Sequence, residues 1–245
     1  MMPALLCRML ISPCRPEYRA RKSRLDIEDR SSQFLAMKSL ACAAAALLSL
    51  AFSHAVLAAP EPLADGKTFA GWDGETNSIW HVRDGAFVGG KPPAKVPQNE
   101  FLATARSYTN FVLRLEFKLT GTEGFVNGGV QFRSQRRKGD SEMIGYQADI
   151  GEGWYGALYD ESRRNKLMAK ADEAAVKRAV KPGEWNRYEI RCEGRRIVLK
   201  INGVQTVDYT EADATIPQWG RIGLQVHGGG VTEASYRAIT IEELP

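Results

Sequence analysis

The chain has 245 residues, with 33 Lys and Arg against 29 Asp and Glu and a formal net charge of +4 at pH 7. Residues 1–59 hold eight of the basic and four of the acidic side chains, so the remaining 186 residues carry 25 of each sign and are neutral. A neutral chain lacks the basic footprint of a nucleic-acid-binding domain, which excludes that class of partner. Cys192 is the one cysteine beyond residue 59, so an intramolecular disulfide is excluded there as well.

The N-terminal part of the chain has the pattern of a leader. Lys38 precedes an Ala- and Leu-rich run over 40–59 that ends in small residues, which is typical of a secretory signal peptide. Residues 1–36 are rich in Arg and lack hydrophobic periodicity, so we predict that translation starts at Met37 and that 37–59 is cleaved. The mature chain is then periplasmic or secreted, without stable membrane association. An uncleaved membrane anchor is the alternative, because a run of about 20 apolar residues can span a bilayer.

From residue 60 onward the chain reads as one domain of short strands separated by turn residues. Asp84-Gly85 centres a hairpin over 81–90, and residues 111–120 alternate apolar with charged side chains. The only helical pattern covers 172–180 and predicts one short peripheral helix. Together these patterns favour an all-β sandwich or barrel. Further strands are predicted at 128–134, at 143–150, three times within 185–209, at 220–227 and at 234–244.

Three of the predicted strands share a five-residue pattern: "GVQFR" (129–133), "GYQAD" (145–149) and "GLQVH" (223–227). Because side chains alternate along a strand, each segment sends its two apolar residues to the core and the others to the opposite face. A solvated outer face is one explanation. The matched glutamines and their glycines favour a ligand groove, since an amide both donates and accepts hydrogen bonds, as sugar hydroxyls require. In one sheet, this face would carry the substrate-binding candidates Gln131, Arg133, Gln147 and Gln225, with Asp149 and His227.

The segment "EGWYGALYDESRR" (152–164) concentrates aromatic and charged residues in a predicted loop. Trp154 and Tyr159 are candidates to stack on a sugar, although core packing is an equal alternative for Trp154. Asp160 and Glu161 are candidate catalytic acids or bases. Cys192 is expected to pack inside a strand. The other tryptophans are expected in the core or at sheet edges: Trp72, Trp80, Trp185 and Trp219.

Several catalytic motifs are absent from the sequence. It contains no H-x-x-x-H or H-E-x-x-H zinc pattern, no G-x-S-x-G elbow and no phosphate-binding glycine loop. Zinc hydrolases, serine esterases of that type and nucleotide-binding enzymes are therefore not indicated.

Four segments together resemble the bacterial 3-keto-disaccharide hydrolase domain family: "GGVQFRS", "MIGYQADIGEGWYGALYDESRR", "KPGEWNRYEIRCEGRRIVLKINGVQTVDYTE" and "GRIGLQVHGG". The resemblance runs from about Leu63 to Leu244. It implies a concanavalin-like jelly-roll β-sandwich of two antiparallel sheets. It also implies a glycosidase-type activity on sugars that are already oxidised at C3.

The segment "QADIGE" differs from the paired glutamates of retaining β-glucanases of similar fold, because Gln147 stands at the nucleophile position. Direct displacement by a carboxylate is therefore not expected. A 3-keto group allows another route, since it acidifies the C2 hydrogen and permits elimination of the C1 substituent, followed by hydration. His227 is the expected base.

Two further roles in this route are left open among several side chains. Arg133 or a glutamine amide would stabilise the enolate oxygen. Asp149, Asp160 or Glu161 would be the acid, or would hold a divalent metal ion. A non-catalytic, lectin-like carbohydrate-binding module is the main alternative function, and an adhesion domain is the third, because a fold does not determine a function.

Overall fold

The computed structural model of the protein describes residues 59–245. The predicted leader, 1–59, lies outside the described residues except for Ala59. Within the described part, no helix is long and apolar enough to cross a membrane.

The regular secondary structure of the described chain is all strands apart from one short helix, α1 (Glu173–Ala179), whose first turn is capped by the Asp172 side chain. In chain order the strands are β1 (Glu61–Pro62), β2 (Trp72–Asp73), β3 (Trp80–Arg83), β4 (Ala86–Gly89), β5 (Glu100–Tyr108), β6 (Phe111–Glu123), β7 (Asn127–Arg136), β8 (Met143–Gly151), β9 (Leu158–Glu161), β10 (Lys166–Ala169), β11 (Asn186–Glu193), β12 (Arg196–Ile201), β13 (Val204–Thr210), β14 (Gly220–Val226) and β15 (Val231–Glu243).

These strands form two antiparallel sheets. One sheet has the order β13-β12-β11-β6-β15-β4-β3, with β1 paired to β15, and the other has the order β10-β9-β8-β7-β14-β5-β2. The helix packs against β13. The prediction of a concanavalin-like jelly-roll sandwich with one short peripheral helix is confirmed.

The core lies between the sheets because alternate residues of each strand are apolar. The inward side chains of β6 are all buried, whereas Arg114, Glu116 and Lys118 between them are partly exposed. Cys192 is fully buried in β11, as expected. Trp72 and Trp80 also lie in the core, but the assignment of Trp219 to packing is wrong, since 53% of this residue is exposed. The inward side chains of β6 are Phe111, Leu113, Leu115, Phe117 and Leu119.

One predicted loop is in part a strand. Residues 158–161 form β9, which pairs with β8 on one side and β10 on the other. This pairing gives the side chains of the segment a period of two, so neighbouring residues lie on opposite faces of the seven-stranded sheet. The polar face, as we call the face of this sheet turned away from the core, carries Gln131, Gln147, Asp149, Tyr159, Glu161 and Gln225.

Candidate functional site

The three strands with the repeated pattern are neighbours in the order β8-β7-β14. Gln131 pairs with Gln147 on one side and Gly223 on the other, and Gln225 pairs with Gly129. The three glutamines therefore share the polar face, as the sequence predicts.

The polar face is buried although no second sheet covers it. Gln131, Gln147, Asp149 and Gln225 are each at most 4% exposed. A small separate apolar cluster, which includes Phe101, also lies on this face. The solvated-face alternative is therefore wrong, and the polar row needs partners other than bulk water.

Hydrogen bonds orient most of this row. The Ser134 hydroxyl lies 2.5 Å from Gln131 Oε1, and Gln131 Nε2 donates to Gln147 Oε1 at 3.3 Å. Gln147 Nε2 in turn donates to Asp149 Oδ1 at 2.9 Å. Gly129 makes room for this arrangement, because a Cβ there would lie 2.7 Å from Gln147 Cδ. The carboxyl of Asp149 is thus held by one oxygen only.

Some atoms of the row have no partner among residues 59–245. They are Asp149 Oδ2 and both polar atoms of the Gln225 amide, all buried. Buried polar atoms are almost always hydrogen-bonded in folded proteins. Asp149 also lines a cavity, so its unpartnered oxygen indicates a surface that can bind a polar ligand.

A cavity of about 190 Å³ opens onto this face. Six of the ten predicted site residues line it, and Gln131 and Gln225 lie in the same row without lining it. Sequence reasoning missed Phe125 and Asn127. The period of two could have identified Asn127, which lies two residues before Gly129, whereas nothing in the pattern marks Phe125. The lining residues are Phe125, Asn127, Gln147, Asp149, Trp154, Tyr159, Glu161 and His227.

A larger depression, of about 800 Å³, lies on the outer face of the eight-stranded sheet around Trp185. Charged groups that line it pair with one another, as Arg114 does with Glu189 and Arg187 with Glu116. Paired surface charges of this kind need no ligand. The smaller cavity, with its unpartnered buried groups, is therefore the candidate site.

Two carboxyls of the cavity hold protons near neutral pH. Burial raises the pKa of Asp149 to about 8; the hydrogen bond from Gln147 opposes this shift, and the charge of Glu161 adds to it. Burial likewise raises the pKa of Glu161 to about 7, with help from the charges of Glu142 and Asp160. Either group can therefore donate a proton at the pH where most enzymes work.

The imidazole of His227 is held with one nitrogen available. Its Nδ1 lies 2.7 Å from the carbonyl oxygen of Gly228, which can only accept, so Nδ1 carries a hydrogen. In the neutral ring, Nε2 then has a free lone pair. The backbone N–H of His227 donates to the Asn127 carbonyl at 3.1 Å, and its ring meets Phe125 edge to face, with centroids 4.7 Å apart.

The placement of Arg133 in the site is wrong. Its φ of 49° lies at an irregularity of β7 that shifts the register between Phe132 and Gln135. The guanidinium is consequently buried away from the cavity and donates to the carbonyl oxygens of Thr109 and Gly194. It connects loops and does not face a substrate.

The placement of Asp160 in the site is also wrong. This residue lies between Tyr159 and Glu161 on β9, and it is fully buried on the opposite face. Its carboxylate forms ion pairs with Arg163 and Arg164. A paired and inaccessible carboxylate cannot reach a ligand in the cavity.

Residues 59–245 contain no group of three or more His, Cys, Asp and Glu side chains arranged to hold a metal ion. The divalent metal ion stays a prediction.

The family model described as the 3-keto-alpha-glucoside-1,2-lyase-like domain matches residues 59–242. The chain belongs to this family. Membership gives the protein a carbohydrate-related function and leaves open whether it cleaves sugars or only binds them. No curated protein sequence matches the chain.

Several solved structures share the fold of this family member. A candidate glycosyl hydrolase from Parabacteroides distasonis is 25% identical, with 76% of this chain and 100% of that chain covered and a TM-score of 0.56. A second one from the same organism is 19% identical, covers 76% and 94%, and has a TM-score of 0.57. The carbohydrate-binding module CBM66 from Bacillus subtilis is 16% identical, covers 71% and 96%, and has a TM-score of 0.55. The same sandwich is thus found in proteins described both as glycosyl hydrolases and as binding modules.

Proposed function

We propose that the protein cleaves the glycosidic bond of 3-keto-glucosides by elimination and hydration. A base removes the C2 hydrogen, the bond between C1 and the leaving-group oxygen breaks, and a C1=C2 double bond forms while the leaving group takes up a proton. Water then adds its hydroxyl to C1 and its hydrogen to C2, which gives the free 3-keto sugar. The sequence of steps needs no oxidant or reductant.

One observation carries this proposal: the same cavity contains an imidazole with a free Nε2 and carboxyls that are protonated near neutral pH. His227 Nε2 removes the C2 proton, and Asp149 or Glu161 gives a proton to the leaving oxygen. A proton donor beside an imidazole with a free nitrogen suits proton transfer, and a lectin does not need that arrangement. The amide of Asn127, which lines the cavity, is the proposed donor to the enolate oxygen in place of Arg133.

The test uses the purified full-length chain with 3-keto-trehalose and with unoxidised trehalose. Glucose is expected from the keto form alone. His227→Gln is expected to lower kcat by about 10²- to 10⁴-fold, as for the loss of a general base. The matched control is His81→Gln, on β3 of the other sheet, which should leave kcat unchanged. Turnover by His227→Gln at the unaltered rate would refute the role of this residue.

A carbohydrate-binding module is the second candidate, and the fold shared with CBM66 favours it. In that case calorimetry would detect binding of 3-keto-trehalose with no glucose released. The glucose-release assay also tests the predicted divalent metal ion. If the enzyme requires such an ion, EDTA should lower the activity, and added Ca²⁺ or Mg²⁺ should restore it.

We also propose that the mature chain acts in the periplasm or outside the cell on a carbohydrate, not on nucleic acid. The signal-like segment 37–59 supports this location, and the neutral charge of the remaining chain supports the absence of a nucleic-acid partner. Cell fractionation and N-terminal sequencing of the mature protein test it. A cytoplasmic protein that starts before residue 59 would overturn it.

A further inference from the structure

Three large apolar side chains are exposed among residues 59–245: Phe125 (44%), Leu167 (38%) and Trp219 (53%). Only Phe125 lines the cavity. An exposed aromatic ring at the edge of a polar cavity is the usual partner for a flat apolar surface of a ligand.

The backbone around Phe125 is held in place by close contacts with the segment that follows His227. Gly124 has a φ of 71°, and a Cβ there would overlap the carbonyl oxygen of Gly229. A Cβ on Gly230 would lie only 2.6 Å from the carbonyl oxygen of Phe125. The two segments can approach this closely only because these positions are glycines. The Phe125 ring lies edge to face with the imidazole, at an interplanar angle of 79°.

The cavity is small and open to solvent. Its volume of about 190 Å³ suits one sugar ring. The ring that loses its C2 proton must lie inside, within reach of His227 and Asp149. The group attached to C1 must then extend out of the cavity, where Phe125 offers an exposed surface.

We propose that Phe125 binds the leaving group of the substrate and determines which leaving groups are accepted. This inference rests on the proposed function. The preferred leaving group has a ring with a flat apolar face, either an aromatic ring or the apolar face of a sugar. A small alkyl leaving group cannot use this surface.

The test compares three 3-keto α-glucosides whose leaving groups are methanol, 4-nitrophenol and glucose. The quantity measured is kcat/KM for each ring-bearing substrate divided by kcat/KM for the methyl substrate. Phe125→Ala should lower this ratio about three- to tenfold, the effect of one aromatic contact. Phe125→Leu, which keeps an apolar group but no ring, should lower it less.

Trp219→Ala is the matched control, because it removes an exposed aromatic residue that does not line the cavity, and it should leave all three kcat/KM values unchanged. A ratio that falls for 4-nitrophenol alone assigns the surface to aromatic leaving groups, and a ratio that falls for glucose as well assigns it to sugars too. Equal loss on all three substrates would overturn the inference, since Phe125 would then act only through His227.

Absence of turnover in the unaltered protein would refute the proposed function and not the role of Phe125. In that case the same ratios are taken from dissociation constants measured by calorimetry. Phe125→Ala should weaken binding of the 4-nitrophenyl glucoside more than binding of the methyl glucoside. Equal weakening of both would overturn the inference.

Discussion

Gln225 shows at the scale of one residue that the buried polar face lowers the stability of the protein. Both polar atoms of its amide are buried without a partner among residues 59–245. Each such atom costs stability that an apolar group of the same shape would not. We expect Gln225→Met to raise the free energy of unfolding by about 1 kcal/mol.

Urea denaturation measures the effect of the Gln225 change. The matched control is Gln131→Met. Gln131 donates a hydrogen bond to Gln147, so its replacement should lower the free energy of unfolding by about 1 kcal/mol. Destabilisation by both changes to the same extent would show that Gln225 is satisfied in solution, for example by water.

Asp149 makes the stability of the protein depend on pH with an unusual sign. Its pKa in the folded protein is about 8, raised from 3.8 mainly by burial, so the folded state keeps a proton that the unfolded state has lost. The free energy of unfolding contributed by this group therefore decreases as the pH rises from about 4 to about 8. The side chain of the Asp149→Asn variant cannot ionise. Its free energy of unfolding should therefore lack this decrease, which is of the order of a few kcal/mol.

Urea denaturation at pH 5, 7 and 9 measures this effect as the difference between the two proteins. The asparagine variant should gain stability relative to the unaltered protein at each step toward pH 9. Parallel curves over this range would mean that Asp149 ionises freely and is not the proton donor proposed above.

At the scale of the strand, a cluster of ion pairs holds β9 in position. Asp160 pairs with Arg163 and Arg164, and Arg164 Nη2 also donates to Glu211 at 2.7 Å. Glu211 in turn accepts a hydrogen bond from the Tyr146 hydroxyl at 2.6 Å. The cluster thus holds β9 on the face opposite the cavity, and β9 places Tyr159 and Glu161 in the cavity lining.

Removing Arg164 would leave the buried Glu211 carboxylate without its counter-charge and the buried Asp160 carboxylate with Arg163 alone. We expect Arg164→Ala to cost about 3 to 5 kcal/mol of the free energy of unfolding, as for a broken buried ion pair. The control is Arg196→Ala, since Arg196 pairs with Asp208 on the surface and its side chain is 62% exposed; this change should cost less than about 1 kcal/mol. Similar small losses in both variants, measured by urea denaturation, would show that the cluster does not support β9.

Alternation along the strands predicts part of the candidate site from the sequence but not all of it. Alternation along strands correctly places the three glutamines and Asp149 on one face. The same rule separates Asp160 from Glu161 once 158–161 is known to be a strand, but the glycine- and aromatic-rich segment reads as a loop. At the irregularity of β7, the Arg133 guanidinium donates to the carbonyl oxygens of Thr109 and Gly194. Because these two residues are distant in sequence, no local pattern predicts the irregularity.

At the scale of the whole molecule, the sandwich follows from the alternating strands, while the order of the strands does not. β14 begins more than 80 residues after β7 and yet inserts between β7 and β5. The cavity depends on this long-range pairing, because it brings His227, the residue after β14, beside Asn127, the first residue of β7. A single sequence contains no signal for such a neighbour.

Cys192 can report whether the whole sandwich opens as one unit. It lies in β11, between β6 and β12, where it pairs with Phe111 and Ile197. The thiol is fully buried, and burial raises its pKa to about 12 although the charge of Arg133 opposes the shift. A reagent that needs a thiolate can therefore react only after β11 leaves the core.

We expect labelling of Cys192 in excess reagent to proceed at the rate of global unfolding, as followed by tryptophan fluorescence in the same solution. Mass spectrometry of peptides separates this residue from the cysteines before residue 59. Labelling faster than the fluorescence change would mean that the centre of the eight-stranded sheet opens without the rest of the molecule. Because β6 and β11 are central strands flanked on both sides, matching rates are the expected result.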